Sequence, residues 1–367
     1  MNPVLAGVIC WGAYFVINIV KKKKLVFKIR KTDLLGLGLL FLISVFVVFN
    51  TYNADYDNYQ NIYVENSKSF SISATNLLFS LLCKIGNMLQ LDYQTFRCFL
   101  LYFGLFSVFN FVKKYSDNVF LIIILYALSS AIMDGIQFRQ FTAMGIYLFV
   151  LPSLLKENSK KGVIKYIIGT TVASMVHISF IFFFLFLLIK VERKKRIKIT
   201  VIISILVLVT FVVMSKTNLL ITFVSQILTE DKVDLYFIDS QYHSSAIQVL
   251  QFIITQQVFM IFLLYIYTKI GKVRLEDKGF IWSIIGINIL MICICPIFFY
   301  SLQFRRIFRI IMLPSYIALA KMLPSVKNVR YYGMMALMIS FGCVSLWLNL
   351  NSNPDLITNL ICNNYFW

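Results

Sequence analysis

Charged residues are scarce in this chain, and acidic ones are the scarcest. Charged side chains make up 14% of the 367 residues, with 16 Asp+Glu against 35 Lys+Arg, whereas a soluble domain carries about 25%. Histidine occurs 2 times and proline 6 times. A chain this poor in charge, of which 59% is hydrophobic, is not an ordinary soluble enzyme, a disordered chain or a fibrous protein.

Long apolar runs recur from one end of the chain to the other, and the mean hydropathy is +0.80. One signal peptide does not account for so many runs, and membrane β-barrels alternate every second residue instead. The sequence therefore predicts an all-α polytopic membrane protein, one transmembrane domain over residues 1–367 with about ten full spans of about 20 residues. The predicted spans are 3–20, 33–50, 93–112, 118–133, 137–155, 197–214, 246–268, 280–299, 305–320 and 331–349.

The net charge of +19 would indicate nucleic-acid binding in a soluble protein. In a membrane protein it has a simpler cause, because cytoplasmic loops carry an excess of Lys and Arg. We therefore expect no nucleic-acid partner. The 7 Cys show no metal-binding or redox spacing and are interpreted as small apolar residues of the membrane helices.

The basic clusters predict the orientation of the spans. Lys21–Lys24 are expected in the cytoplasm, which places the N-terminus outside and residues 51–69 on the external side. Lys113 and Lys114 are also typical of the cytoplasmic side. The polar-rich segment 70–90 therefore does not cross, and we predict that it is a helix lying in the outer interface.

The segment 163–189 has basic clusters on both sides, so one crossing would leave one cluster outside. Two full crossings need about 40 residues, which the segment lacks. We therefore predict a short helical hairpin, with arms of about 13 residues and about 20 Å each and His177 at the buried tip. One long tilted helix is the alternative. The layout places both termini outside and leaves external loops at 51–92 and 215–245.

Ionisable residues near the membrane that do not reach the cytoplasm mark functional sites, and four clusters of them lie on the predicted external side. The first follows the second span. Tyrosine rings stack on sugars and carboxylates accept hydroxyl hydrogens, so this cluster predicts sugar binding or catalysis. A polar turn with interfacial tyrosines is the alternative. Its candidate residues are Asp55, Tyr56, Asp57, Tyr59 and Tyr63.

The second cluster links two spans at residues 134–140 and contains Arg139 and Gln140. Arg139 begins an otherwise apolar helix, where a cation opposes the helix macrodipole. A guanidinium and the free amides of a helix N-terminus both bind phosphate. The cluster therefore predicts a phosphate site, and an interface anchor is the alternative.

The third and fourth clusters supply an imidazole and three guanidiniums. His177 lies between Ser174 and Ser179 and is a candidate general base or acid; a neutral histidine bonded to a backbone carbonyl is the alternative. Three arginines open the span 305–320 against the positive-inside trend and are candidates for phosphate binding, with anionic lipid as the alternative. These are Arg305, Arg306 and Arg309. The loop 215–245 adds Tyr242 and His243 as candidate substrate contacts.

Taken in order, these patterns resemble the EpsG family of bacterial polysaccharide polymerases, which are functional relatives of Wzy. An acidic stretch after an early span matches DYDNYQNIY at 55–63, and an Arg-Gln helix start with a Lys-rich turn matches FRQFTAMGIYLFVLPSLLKENSKK at 138–161. The pattern Ala-x-x-x-His-x-Ser matches ASMVHIS at 173–179, and an Arg-rich helix start resembles FRRIFRIIMLP at 304–314. Asp55 and Asp57 both fit the acidic position, as Arg305 and Arg306 both fit the later Arg position.

The resemblance implies a membrane glycosyltransferase with a GT-C-like arrangement, in the bacterial cytoplasmic membrane. It would join repeat units carried on undecaprenyl diphosphate into capsule, exopolysaccharide or O-antigen, with a flippase and a chain-length regulator as partners. The reaction requires no metal or other cofactor, although some GT-C relatives hold Mg²⁺ in an acidic first loop like this one. A lipid-linked oligosaccharide flippase and a membrane O-acyltransferase are the alternatives.

Overall fold

The computed structural model confirms an all-α polytopic membrane protein. The ranges it describes contain helices, a single isolated bridge between Asn50 and Asn364, and no strand. Those ranges are 2–22, 30–68, 77–155, 159–192, 195, 198–203, 205–207, 209–210, 222, 225, 245–270, 274–299, 302–325, 329–352 and 355–366. The candidates Tyr242 and His243, and most of the predicted span 197–214 and loop 215–245, lie outside the described residues.

Within these ranges, 7 helices are long and apolar enough to cross a membrane. The predicted spans 3–20 and 305–320 correspond to the helices Pro3–Lys22 and Arg306–Met322, which are not among the seven. We number the helices as follows: α1 Pro3–Lys22, α2 Lys31–Val48, α3 Tyr56–Lys68, α4 Leu77–Met88, α5 Tyr93–Tyr115, α6 Val119–Ile136, α7 Phe138–Leu155, α8 Lys160–Val176, α9 Ala246–Phe252 continued by Ile253–Val258 and Phe259–Ile270, α10 Leu275–Met291, α11 Arg306–Met322, α12 Val329–Ser352 and α13 Leu356–Cys362.

The chain folds into two compact units. The first comprises Met1–Pro152, Lys165–Ile178 and Met335–Trp367, and the second comprises Ser153–Ile164 and Ser179–Met334. The first unit therefore holds the acidic cluster, Arg139 and His177. The second holds the three arginines at 305–309.

In the first unit, α2 and α5 are joined at both ends. At the start of α2, the Arg30 guanidinium lies 2.7 Å from the Asp117 carboxylate and donates to the Ser116 carbonyl just after α5. At the other end, Gln94 donates to the carbonyl of Asn50, 3.1 Å away. The chain thus returns at residue 93 to the end that it left at residue 50. This return agrees with the predicted non-crossing of the segment 70–90, which stays a prediction.

Residues 51–92 form two helices, α3 and α4, of which only α4 was expected. The Asp55 amide donates to the Asn53 side-chain oxygen and the Tyr56 amide to the Asn53 carbonyl, which starts α3. Tyr59, Tyr63 and Asn66 fall on one face of α3 and are buried. The Asn87 side chain of α4 donates to the Tyr63 carbonyl at 3.1 Å. The acidic stretch is thus an amphipathic helix packed on α4 rather than an open loop.

The chain leaves the α-helix at His177, the predicted tip. It is preceded by the 17-residue helix α8 and followed by a 13-residue 3₁₀ helix, Ile178–Lys190. The predicted arm length of about 20 Å is too short: α8 rises about 26 Å, and the 3₁₀ helix gains about 2.0 Å per residue and reaches a similar length. The predicted fold-back of the two arms stays a prediction.

The second unit is tied together by buried amides. The Gln257 side chain of α9 donates to the carbonyl of Asn288 in α10. The Asn288 amide in turn donates to the Ser315 hydroxyl of α11 at 2.9 Å. At another level, Lys321 of α11 lies 2.5 Å from the Asp277 carboxylate of α10. Buried groups satisfied in this way fix the register of the three helices.

Candidate active site

The predicted phosphate cluster forms a one-residue turn between two helices. Helix α6 ends at Ile136, Gln137 adopts φ −94° and ψ 50°, and α7 begins at Phe138. Asp134, Gln137, Arg139 and Gln140 are all buried. Arg139 is therefore the second residue of α7, as its position in the sequence indicated.

The Arg139 side chain is a buried cation that contacts aromatic rings. It is 7% exposed, and its guanidinium carbon lies 5.4 Å from the ring centre of Phe79 and 5.9 Å from that of Tyr59. Across the described ranges it forms no ion pair or hydrogen bond, and its Nε atom is buried without a partner. Aromatic faces attract a cation, but they do not neutralise it.

The rings around Arg139 belong to a larger set, here called the aromatic cluster. Tyr59 meets Phe138 edge to face at 4.7 Å, and Tyr56 meets Tyr93 at 5.0 Å. Such packing excludes water and lowers the local dielectric constant, which strengthens the field of Arg139. The cluster consists of Tyr56, Tyr59, Tyr63, Phe79, Tyr93, Phe96 and Phe138.

The candidates of the acidic cluster differ in exposure. Asp55 directly precedes α3 and Tyr56 begins it; both are half-buried, whereas Asp57 is exposed. Tyr59 and Tyr63 are buried. The Tyr63 hydroxyl donates to the Leu91 carbonyl at 2.8 Å. Tyr63 thus helps to hold α3 against the segment that leads into α5.

Burial also shifts the ionisation of groups in this interfacial region. It raises the pKa of Tyr63 to about 12, so its hydroxyl remains a hydrogen-bond donor at neutral pH. Burial raises the pKa of the Cys83 thiol in α4 to about 12 as well, while the Arg139 guanidinium opposes this rise. The field of Arg139 therefore reaches the buried face of α4.

Arg97 is a second buried arginine, which the sequence reasoning missed. It is 1% exposed. Its guanidinium donates to four backbone carbonyls, those of Val47, Val48, Asn50 and Gly135, at 2.6–3.3 Å. Its charge is balanced by the carbonyl end of α2. The signal was present, because an arginine inside an apolar span is a candidate for a buried role.

His177 directly follows α8, and its backbone amide donates to the Ala173 carbonyl at 2.9 Å. The residue is half-buried, and the following Ser179 is buried. This position is compatible with the predicted acid–base role, which stays a prediction.

The three arginines at 305–309 lie at the start of α11. Arg305 precedes the helix and Arg306 begins it, and both are half-buried. Arg309 is 7% exposed. The neighbouring ring of Phe308 packs against Phe298 at 5.1 Å. The predicted helix start is therefore present, with its third arginine, Arg309, buried.

No group of three or more His, Cys, Asp or Glu suited to a metal ion occurs in the part of the chain that the structure describes. The Arg139 guanidinium is a cation whose N–H groups are donors suited to an anion.

The sequence model of the EpsG family matches residues 34–366. The chain belongs to the EpsG family. Membership of EpsG, a family of Wzy-like polysaccharide polymerases, fits a role in polysaccharide polymerisation in general. The match spans every described element from α2 to α13, so the EpsG assignment covers both compact units. Searches of curated proteins and of solved structures find no match.

Proposed function

We propose that this EpsG-family chain is a glycosyltransferase that polymerises lipid-linked oligosaccharide repeat units. The donor is a growing glycan on undecaprenyl diphosphate, and the acceptor is one repeat unit on the same lipid. The reaction takes place at the external face of the bacterial cytoplasmic membrane. The products are capsular polysaccharide, exopolysaccharide or O-antigen.

The observation that supports this most strongly is the state of Arg139. A buried ion that lacks a counter-charge lowers the stability of the fold by several kcal/mol. Such a charge is retained where a ligand supplies the opposite one. A lipid diphosphate supplies it, and the planar guanidinium binds two phosphate oxygens at once.

In the proposed reaction, an acceptor hydroxyl oxygen attacks the anomeric carbon of the donor sugar. The bond from that carbon to the diphosphate oxygen breaks, and the lipid diphosphate leaves with the electron pair. A base takes the hydroxyl proton; His177 is the first candidate, and Asp55 or Asp57 the second. Arg139 stabilises the charge that develops on the leaving group.

The remaining candidates bind substrate in this proposal. Tyr56 is half-exposed and adjacent to Asp55, so its ring is the most accessible of the three tyrosines for a sugar. The second unit offers a further anion site at the start of α11. The proposed substrate contacts are Arg305, Arg306, Arg309, Gln140, Tyr56, Tyr59, Tyr63, Tyr242 and His243.

Contacts near Asn50, at the end of α2, support an external location for both termini. A Cβ atom on Gly7 of α1 would lie 2.9 Å from the Phe49 ring, and Asn364 pairs with Asn50. Both terminal segments thus lie at the end of α2 opposite Arg30. The basic residues Lys21–Lys24 and Lys113 favour a cytoplasmic position for the Arg30 end, which supports the proposed external position of the termini.

No step of the proposed reaction needs a metal ion, and Mg²⁺ held by the acidic first loop is the alternative. A flippase that delivers the repeat units and a chain-length regulator are the proposed protein partners. The flippase is needed because the proposed substrate is made in the cytoplasm, and the regulator because the length of the product must be limited.

Deletion of the gene, followed by analysis of lipid-linked glycans, tests the function. A polymerase predicts that single repeat units accumulate on the external leaflet while long chains vanish. Units that remain on the cytoplasmic leaflet would instead identify a flippase. Chains of normal length that lack acyl groups would identify an O-acyltransferase.

The proposed base is tested separately. His177→Ala at normal protein level should abolish chain production, because the attacking hydroxyl keeps its proton. Undiminished chain production would remove His177 from the site. Labelling of single cysteines at residues 176–178 shows from which side of the membrane a reagent reaches them. Access from the cytoplasm alone would contradict the predicted hairpin.

A further inference from the structure

The C-terminal segment is joined to the first external turn through Asn50. This residue is 2% exposed. Its side-chain amide donates to the carbonyls of Asn359 and Asn363, at 3.0 and 2.9 Å. Its side-chain oxygen accepts from the Asn53 amide at 3.0 Å. The first two bonds join the end of α2 to the C-terminal segment, and the third lies within the turn between α2 and α3.

Backbone bonds fix the same segment to the end of α2. The Thr51 amide donates to the Asn363 carbonyl at 2.8 Å, and the Tyr365 amide donates to the Phe49 carbonyl at 2.9 Å. The Asn364 side chain donates to the Val45 carbonyl at 2.9 Å. These bonds give the last residues of the chain a defined place beside residues 45–51.

The contacts continue from Asn50 to the acidic cluster. The Asn53 side-chain oxygen accepts from the Asp55 amide at 3.1 Å, and the Asp55 carbonyl accepts from the Tyr59 amide at 3.1 Å. Asn53 is itself 5% exposed. A continuous path of hydrogen bonds therefore runs from Asn363 through Asn50 and Asn53 to Asp55.

We propose that the C-terminal segment, Asn359–Phe366, and Asn50 are positioning elements of the active site, which hold Asp55 and the start of α3 in place. The inference rests on the proposed polymerase function. Asn50 touches no reacting atom in it. A backbone turn held by buried hydrogen bonds keeps its geometry during turnover, whereas a turn without them samples other conformations. Loss of the path would lower turnover more than substrate affinity.

Two kinds of variant break the path at different points. A stop codon in place of Asn363 removes the carbonyl that binds both Asn50 and Thr51. Asn50→Ala leaves the segment in the chain but removes its link to Asn53. Asn349→Ala is the matched control, because the Asn349 amide also donates to a backbone carbonyl, that of Ser129, at 3.1 Å in the same unit.

The first measurement is polymerisation of purified lipid-linked repeat units. We expect both path variants to lower kcat at least tenfold with KM changed less than twofold, and Asn349→Ala to keep the kcat of the unmodified chain. Asn53→Ala, which leaves the C-terminal segment untouched, should match Asn50→Ala. A kcat within twofold of the unmodified chain in Asn50→Ala and Asn53→Ala would overturn the proposal.

The second measurement does not depend on catalysis. A spin label on Asn58→Cys, an exposed position of α3, reports the mobility of the turn after the exposed Cys343 and Cys362 are replaced by serine. We expect both path variants to mobilise this label and to leave a label on Lys114→Cys unchanged. An immobile label in both variants would overturn the inference, whatever the activity. Should the unmodified chain make no polymer while the label responds as expected, the polymerase proposal fails and the positioning of the turn stands.

Discussion

The Nη2 atom of Arg97 lies 3.0 Å from the carbonyl oxygen of Gly135. Gly135 precedes Arg139 by four residues, on the other side of the turn at Gln137. Arg97 therefore fixes the turn that presents Arg139. The first unit holds two buried guanidiniums, one saturated by carbonyls and one without a counter-charge in the described residues. Their substitution should have opposite effects on stability.

Replacing Arg139 by methionine should raise stability and abolish activity. The side chains have similar length, and removal of an uncompensated buried charge should raise the free energy of unfolding by about 1–4 kcal/mol. Loss of the guanidinium should lower polymerisation about a hundredfold or more. The measurements are the midpoint of thermal unfolding in detergent and the rate of chain formation.

Arg139→Lys is the control for charge, since it restores a cation without the planar fork and should recover part of the rate. A lower midpoint for Arg139→Met would show that the guanidinium is a structural element. In that case the anion site would lose its main support.

Replacing Arg97 by methionine should destabilise the first unit. Four carbonyls would lose a charged donor. Those of Val48 and Asn50 keep the Gln94 amide, whereas each buried group left unsatisfied costs about 1–3 kcal/mol. We expect the free energy of unfolding to fall by about 3 kcal/mol or more, measured in the same assay. An unchanged midpoint would mean that Arg97 does not hold the turn.

Gly135→Ala should strain the contact between α6 and α2. An added Cβ atom would lie 2.3 Å from Cγ1 of Val47, and overpacking of this kind costs about 1–3 kcal/mol. The double variant with Val47→Ala should recover much of the loss, because it removes the clashing methyl group. Thermal unfolding of the two single variants and the double variant checks this.

Gly38→Ala provides the matched control on α2. An added Cβ atom there meets nothing within 4 Å, and alanine stabilises a helix interior over glycine by about 1 kcal/mol. If Gly135→Ala were as stable as Gly38→Ala, that result would contradict the close contact between Gly135 of α6 and Val47 of α2.

Gln90→Gly should stabilise the end of α4. Gln90 has φ 53°, and the Leu91 amide donates to the Gly86 carbonyl at 3.0 Å, which is the Schellman arrangement that favours glycine. We expect a gain of about 1 kcal/mol in the free energy of unfolding. Lys84→Gly, at an exposed helical position, should instead lower the free energy of unfolding by about 1 kcal/mol. A decrease in both variants would contradict the left-handed backbone of Gln90.

The spans were predictable because they depend on local composition. A run of about 20 apolar residues identifies a crossing wherever it lies, and the predicted spans 93–112 and 137–155 coincide closely with α5 and α7. The position of Arg139 at a helix start was also predictable, since polar residues precede an apolar run there. Charge parity predicted that 51–92 lies on one side of the membrane, and this stays a prediction.

Three features escaped the sequence reasoning. The helix α3 was not expected, because its stretch is polar overall and its buried face is visible only against α4. The reach of Ile178–Lys190 was underestimated because a 3₁₀ helix rises further per residue than an α-helix. The pairing of Asn50 with Asn364 joins residues more than 300 positions apart, which no local pattern indicates.

The sequence by itself determined the membrane class, the family, the orientation expected from basic loops and the identity of the candidate cations, since apolar runs and charge are local properties. Only the tertiary structure decided which arginine in the first unit is satisfied and which is not. That difference arises because Arg97 meets the carbonyl ends of other segments, whereas Arg139 meets aromatic faces, and such neighbours are set by packing between segments far apart in the chain.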